Sequence, residues 1–217
     1  SFAEIGQQFP DRGYLWLRLL PTLAGVLLPI IIFLLILELG LSPLAAFAGG
    51  LLIVLENALL VQSRFILLDA FLLLFGFLAL FFYSKFYNLN TKHKVLNTRY
   101  LLLSGVFASL AFSVKWTGLT FLLIIGVLYL ISWLKFSEKI KRLGNGLVFL
   151  VIVPAAIYFS IFVIHFSLLT KSGPGDAFMT PEFRKTLEGS AENQNSNLVV
   201  QPLNVWGKFI ELNKQLH

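Results

Sequence analysis

The sequence has very little charge and no cysteine. Charged residues make up 13% of the 217 residues, against 57% hydrophobic residues, whereas soluble domains carry roughly 25% charged residues. So few charges cannot cover a surface that faces water, and the lack of cysteine excludes a disulfide-held scaffold. The chain is therefore predicted to be an integral membrane protein.

Several chemical motifs are absent as well. The three histidines of the chain are widely separated and do not have the spacing of metal ligands. The sequence contains no P-loop, no G-x-G-x-x-G fingerprint and no G-x-S-x-G nucleophile elbow. We therefore expect no metal site and no cofactor, and the informative residues are the charges placed near the membrane.

Long apolar runs are the main feature that is present. A spanning helix needs about 20 mostly apolar residues, and six runs approach or reach that length. They are 17–39, 44–61, 66–83, 100–114, 117–134 and 147–166. The sequence predicts an all-α, polytopic transmembrane bundle at residues 1–169. Residues 170–217 are more polar and are predicted to form an outer segment with short helices.

Two basic loops indicate the orientation in the membrane. The loop after the third run and the loop after the fifth run each carry four basic residues: Lys85, Lys92, Lys94 and Arg99, then Lys135, Lys139, Lys141 and Arg142. Basic residues in short loops favour the cytoplasmic side. The start of the first run, the turns after the second and fourth runs, and residues 170–217 are then predicted to face outward. The net charge of +6 follows from this topology, so we expect no nucleic-acid partner.

Six ionisable residues lie outside the basic loops and map to the outer side. They are the cations Arg18, Arg64 and Lys115, with Glu56, Asp69 and His165. Basic side chains at helix ends often only reach the lipid headgroups. Asp69 would pair with Arg64 or lie at a helix N-terminus, and His165 would be an interfacial histidine. Glu56 needs more explanation, because an intramembrane carboxylate is costly and usually faces a cavity or a partner.

Taken together, these residues predict a binding site. Three cations beside apolar walls suit an anion with a lipid tail, such as a lipid-linked phosphate, because Arg and Lys bind phosphate strongly where water is scarce. If the phosphate is a leaving group, the cations Arg18, Arg64 and Lys115 would stabilise its growing charge. Glu56, Asp69 and His165 would support this site.

Three segments resemble a known family. They are Leu60-Val-Gln-Ser-Arg-Phe-Ile-Leu-Leu-Asp69, Ser113-Val-Lys-Trp-Thr-Gly118 and His165-Phe-Ser-Leu-Leu-Thr-Lys-Ser-Gly-Pro-Gly-Asp-Ala-Phe-Met-Thr-Pro-Glu-Phe183. Together they resemble the protein O-mannosyltransferases, membrane glycosyltransferases of the GT-C class in glycosyltransferase family 39. The resemblance implies transfer of mannose, with inversion, from a polyprenyl (dolichyl) phosphate to Ser or Thr hydroxyls of secretory proteins. It also implies an active site on the luminal or outer face of the endoplasmic reticulum or a bacterial cytoplasmic membrane.

The resemblance assigns no catalytic residue to this chain. In that family an Asp-Glu pair after the first span supplies the base, and we expect that pair in a segment before Ser1. The chain alone is therefore expected to be inactive. The resemblance leaves open a bacterial or eukaryotic origin and the assembly of a homodimer or a heterodimer.

Three other functions stay open at this point. A related GT-C enzyme could move a sugar to a lipid or to cell-wall glycan, and a subunit without its own catalytic pair could support an active partner. A transporter is less favoured, because transporter charges spread across the membrane depth, whereas the six residues above gather at one face.

Overall fold

The computed structural model describes residues 13–64, 67–92, 97–135, 139–194 and 201–215. These residues are mostly helical, which confirms the all-α prediction. The chain divides into two compact units, Ser1–Ile157 and Tyr158–His217. This division follows packing alone, so the predicted boundary between membrane core and outer segment at residues 169 and 170 stays a prediction.

The helices follow one another along the chain with short connections. They are α1 (Gly13–Glu38), α2 (Pro43–Leu55), α3 (Asn57–Arg64), α4 (Asp69–Lys92), α5 (Thr98–Val114), α6 (Leu119–Lys135), α7 (Lys139–Leu147), α8 (Val153–Leu168), α9 (Pro181–Arg184), α10 (Ala191–Gln194) and α11 (Val205–Gln215). Turns of 3₁₀ helix occupy Trp116–Gly118 and Pro174–Phe178, and a π-helical turn, Val148–Ile152, joins α7 to α8.

Four helical stretches of the described chain are long and apolar enough to cross a membrane. They are Leu15–Glu38, Asp69–Thr91, Trp116–Leu134 and Lys139–Leu168. The apolar helices α2 and α5 are shorter, with 13 and 17 residues. Many large apolar side chains on these helices are exposed, such as Leu44, which is 77% exposed. Such surfaces are stable in lipid rather than in water, so the chain is an integral membrane protein.

Two predicted spans differ from the helices of the structure. The run 44–61 is interrupted, because Glu56 has an extended backbone (φ −71°, ψ 110°) that ends α2 and lets α3 begin at Asn57. The run 147–166 is part of the longer helical stretch Lys139–Leu168. Within this stretch the backbone changes from α-helix to a π-helical turn at Val148–Ile152 and then back to α-helix. Hydropathy detects apolar length but not such local changes of the backbone.

Helix α1 lies parallel to helix α4 in the first unit. Ala24, in the middle of α1, packs with Ala70, at the start of α4. Near their ends, the Asn88 amide donates hydrogen bonds to the carbonyl oxygen of Glu38 (2.6 Å) and to its carboxylate (2.8 Å). The N-terminal ends of α1 and α4 therefore lie on one side of the unit.

Helix α5 runs back along α4. The buried Ser104 hydroxyl of α5 donates to the Ala79 carbonyl of α4 at 2.9 Å. The Phe82 and Phe107 rings of the two helices stack with their centroids 5.4 Å apart. The C-terminal end of α5 consequently returns to the side where α4 begins.

A glycine allows α5 to approach the π-helical turn closely. A Cβ atom at Gly105 would lie 1.9 Å from the carbonyl oxygen of Phe149, so only glycine fits at this contact. The contact adjoins the main apolar cluster of the first unit, which consists of Ala79, Tyr83, Phe86, Leu101, Ala108, Ile125, Tyr129 and Leu150. The core is thus centred on helices α4 to α6 and the π-helical turn.

A group of hydrogen-bonded side chains lies at the other end of the first unit, away from the N-terminal ends of α1 and α4. The buried Arg142 guanidinium donates to the Asn90 side chain at 2.9 Å, and the Tyr129 hydroxyl donates to the Arg142 carbonyl at 2.6 Å. Trp133 donates its indole N–H to the Lys139 carbonyl at 2.8 Å. These contacts fix the start of α7 against α4 and α6, on the side predicted to face the cytoplasm.

The second unit has its own aromatic core. The Trp206 ring stacks on Phe159 at 4.5 Å, and the Tyr158 hydroxyl donates to the Asn213 side chain at 2.6 Å. Each contact links a residue of α8 to a residue of α11, so the two contacts together hold α11 against α8.

A second set of contacts ties α11 to the start of α9. The backbone N–H and the hydroxyl of Thr180, the N-cap of α9, both donate to the Glu211 carboxylate at 2.7 Å. The Lys208 ammonium lies 5.8 Å from the ring centroids of both Phe166 and Phe183. Burial beside these rings lowers the pKa of the Lys208 ammonium from its ordinary value.

Candidate functional site

The first structural feature of the candidate site is an ion pair between two helix ends. The Lys115 ammonium lies 2.6 Å from the carboxylate of Asp69, the first residue of α4. The two side chains are 51% and 23% exposed, respectively, so the pair stays accessible to a ligand. An exposed pair of this kind adds little to stability, and its main effect is to hold the ammonium in one place.

The turn after α5 determines where Lys115 points. Lys115 has an extended backbone (φ −151°, ψ 148°), and its carbonyl accepts a hydrogen bond from the Gly118 N–H at 2.8 Å. A Cβ atom at Gly118 would lie 2.3 Å from the Ala111 carbonyl oxygen. The Trp116 ring packs edge-on against Phe112, with centroids 5.0 Å apart. The turn is therefore tight, and its contacts with the end of α5 fix the backbone position of Lys115.

Arg18 lies at the same end of the first unit. It belongs to the second turn of α1 and is exposed, and its carbonyl accepts a hydrogen bond from the Thr22 hydroxyl at 2.8 Å. Because α1 and α4 are parallel, Arg18 and Asp69 both precede the packed pair of Ala24 and Ala70. The packing thus places Arg18 and the Lys115 ion pair toward the same end of the first unit, and their joint role in a site stays a prediction.

Arg64 can be placed only by its backbone. It is the last residue of α3, and its side chain lies outside the described part of the structure. The convergence of Arg18, Arg64 and Lys115 on one anion therefore stays a prediction.

A hollow of about 420 Å³ opens between helices α1 to α4. Its walls are mostly apolar, with the side chains of Thr22 and Gln62 as polar contributions. Thr22 lies one turn after Arg18, Gln62 lies two residues before Arg64, and the lining residue Ala70 follows Asp69. The structure accordingly combines exposed cations and an apolar hollow at one end of the unit, an arrangement that suits an anionic amphiphile.

Asp69 has a partner that the sequence does not suggest, Lys115, and a pairing with Arg64 stays a prediction, because the Arg64 side chain lies outside the described part of the structure. The sequence suggests Arg64 or a helix N-terminus, and the structure shows the N-terminus of α4 together with Lys115. The residues of this pair are 46 positions apart. Only the antiparallel packing of α4 and α5 brings them together, and no local pattern signals it.

Glu56 lies at the break between α2 and α3. It is exposed, and its carboxylate accepts a hydrogen bond from the Leu59 N–H at 2.7 Å. The side chain thus caps the N-terminus of α3, where a free N–H group and the helix dipole both favour a carboxylate. The structure thus gives Glu56 a role in the break between α2 and α3, and its support of the site stays a prediction.

This role predicts different effects for two substitutions of Glu56. We expect Glu56→Ala to lower the free energy of unfolding by about 1 kcal/mol, because the Leu59 N–H loses its acceptor. Glu56→Gln keeps a side-chain oxygen and is expected to stay near the wild type. Thermal unfolding of the full-length protein in detergent measures both. An equal loss in the two variants would show that charge, rather than the hydrogen bond, determines the effect.

His165 belongs to the second unit. It lies in the last turn of α8, where its side chain is exposed and its ring packs edge-on against Phe166 with centroids 5.8 Å apart. These contacts are those of an ordinary residue at a helix end, and its support of the site stays a prediction.

Comparison with known proteins places these observations in a family. The family model described as dolichyl-phosphate-mannose-protein mannosyltransferase matches residues 1–170. The chain is 36% identical over 198 residues to protein O-mannosyl-transferase 1 of Mus musculus, covering 86% of the chain and 26% of that protein. It is 37% identical over 200 residues to dolichyl-phosphate-mannose–protein mannosyltransferase 1 of Candida albicans, covering 88% and 23%.

A solved structure is similar as well. It is that of the protein O-mannosyltransferase Pmt1-Pmt2 complex of S. cerevisiae bound to the sugar donor, with a TM-score of 0.75 and 31% sequence identity. The match covers 82% of this chain and 25% of that one. The chain thus spans about a quarter of the length of the relatives that it matches.

Proposed function

Because the chain belongs to the dolichyl-phosphate-mannose-protein mannosyltransferase family, we propose that the complete protein is a protein O-mannosyltransferase. It would transfer mannose from a polyprenyl (dolichyl) phosphate to Ser or Thr hydroxyls of secretory proteins. The observation that carries this proposal is the family match over residues 1–170, which includes both segments that hold Arg64, Asp69 and Lys115.

The proposed reaction breaks one bond and forms another at the sugar. The acceptor hydroxyl oxygen attacks C1 of mannose while the bond from C1 to the phosphate oxygen breaks, with inversion at C1. The hydroxyl proton would go to a carboxylate base of the complete protein, a role that we assign to no residue of this chain. The electron pair of the broken bond leaves with the phosphate. The donor phosphodiester thereby becomes a phosphomonoester with additional negative charge.

The residues of this chain would act on the departing phosphate. Lys115, Arg18 and Arg64 would bind its oxygens through charge-assisted hydrogen bonds, which strengthen as negative charge develops. The apolar hollow beside them would accept the first isoprene units of the lipid. In the predicted orientation this site lies on the luminal or outer face, where secretory acceptors are exposed.

The assembly of the complete protein is also proposed by analogy. The similar solved structure is a complex of Pmt1 with Pmt2, which supports association of this protein with a second copy or a related subunit. A subunit that lacks its own catalytic pair would fit the same arrangement.

Mannosyl transfer by the full-length protein tests the proposal. Purified protein in lipid nanodiscs is given polyprenyl phosphate mannose with a labelled sugar and a Ser/Thr-rich peptide, and we expect label in the peptide. Label only in a lipid or glycan acceptor would favour the related GT-C enzyme instead. Mass spectrometry of secreted proteins from a deletion strain provides the cellular check, and unchanged O-mannosylation would contradict the proposal.

A further inference from the structure

We propose that Asp69 makes the phosphate site discriminate between the sugar donor and the lipid phosphate that remains after transfer. The inference rests on the proposed function and assigns Asp69 a role in selectivity and product release. Its basis is the position of a carboxylate in direct contact with one of the cations that would hold the phosphate.

The ion pair fixes the distance between Asp69 and a bound phosphate. The Lys115 ammonium lies 2.6 Å from an Asp69 carboxylate oxygen. A phosphate oxygen that accepts from the same ammonium at about 2.8 Å lies no more than about 5.5 Å from that carboxylate oxygen. Any anion held by Lys115 is therefore repelled by Asp69 at short range.

The two lipids differ in the charge that experiences this repulsion. The donor is a phosphodiester with one negative charge, whereas the product phosphomonoester carries about 1.5 to 2 negative charges at pH 7. Attraction by cations scales with ligand charge and would on its own hold the product more tightly than the donor. Asp69 opposes this attraction, and its effect is larger for the more highly charged product.

Partial exposure of the pair sets the size of the effect. When the Asp69 carboxylate and the phosphate are about 5 Å apart and partly in contact with solvent, their repulsion raises the dissociation constant of the lipid by about tenfold for each unit of negative charge on the phosphate. The additional charge of the product then corresponds to a difference of about three- to tenfold between the two lipids. Without Asp69, product would accumulate on the enzyme and limit turnover, as slow product release does in many enzymes.

A purely structural role of Asp69 makes a different prediction. If the carboxylate only positions Lys115 or joins α4 to α5, its loss weakens the attraction of the ammonium for both lipids, and the preference for the more highly charged lipid stays the same or falls. The ratio of the two dissociation constants separates these roles, because loss of the Asp69 repulsion raises the preference for the more highly charged lipid, whereas loss of positioning does not.

Equilibrium binding to the full-length protein in nanodiscs tests the inference. The probes are a short polyprenyl phosphate and its methyl ester, which have the same lipid but differ in charge. For Asp69→Asn we expect the preference for the polyprenyl phosphate over its methyl ester to rise by about three- to tenfold. Asp69→Glu keeps the charge and is expected to keep the wild-type ratio.

The outcomes distinguish this inference from the proposed function. In Asp69→Asn, an unchanged or lower preference for the polyprenyl phosphate over its methyl ester would overturn the role of Asp69 and leave the proposed function intact. Failure of the wild-type protein to bind either lipid would overturn the proposed function and this inference with it. Thermal unfolding of both Asp69 variants shows that the comparison is made on folded protein.

Discussion

Replacement of Lys115 by alanine in the full-length protein is expected to reduce mannosyl transfer by about 100-fold, since loss of one preorganised donor to a developing negative charge commonly costs that much. Two effects combine in this variant. The departing phosphate loses the ammonium that would bind it, and the Asp69 carboxylate, now without its 2.6 Å partner, repels the phosphate. Steady-state turnover with polyprenyl phosphate mannose and a peptide acceptor measures the loss.

A matched substitution separates charge from shape at this position. Lys115→Arg keeps a cation beside Asp69 and is expected to lose no more than about tenfold in turnover, because the guanidinium has a different geometry. Melting temperatures of both variants should stay close to the wild type, as expected for an exposed ion pair. Wild-type turnover in Lys115→Ala would remove this residue from the site.

The second large effect concerns stability rather than chemistry. Gly105→Ala places a methyl group against the Phe149 carbonyl, where the Cβ would lie 1.9 Å from the oxygen. The obstacle is backbone, so α5 and the π-helical turn have to separate. We expect the variant to lose about 3 kcal/mol, the upper range for overpacking of a close contact. Thermal unfolding of the detergent-solubilised full-length protein, monitored by size-exclusion chromatography of heated samples, measures this loss.

Gly126 in α6 provides the control for this prediction. A Cβ atom there meets nothing within 4 Å, so Gly126→Ala adds the same methyl group to a helix without a clash. It should leave the melting temperature unchanged or raise it slightly, because alanine favours the helix over glycine. Equal melting temperatures for the two variants would show that α5 and the π-helical turn are not in close contact.

Much of the fold can be predicted from hydropathy and charge. Apolar length alone predicts the helices that the structure shows at Leu15–Glu38 and Asp69–Thr91, because a bilayer requires each backbone polar group to be paired within a helix. The positions of Arg18 and Lys115 at one end of the bundle also follow, since successive spans alternate in direction. These are properties of the whole chain that average over many residues.

Contacts that depend on a few atoms could not be predicted. The break at Glu56 arises from one extended residue and one hydrogen bond inside an apolar run. The pairing of Asp69 with Lys115 depends on the tight turn that Gly118 permits and on the packing of α4 against α5. Neither hydropathy nor spacing carries information about such geometry, and for this reason the sequence suggested a helix N-terminus or Arg64 for Asp69 but not Lys115.

A structure of the complete protein with a polyprenyl phosphate bound tests the central claim most directly. We expect a phosphorus atom within about 4 Å of the Lys115 Nζ atom, with the guanidinium groups of Arg18 and Arg64 on other phosphate oxygens. A phosphate bound elsewhere on the membrane face, with Lys115 in contact with Asp69 alone, would contradict it.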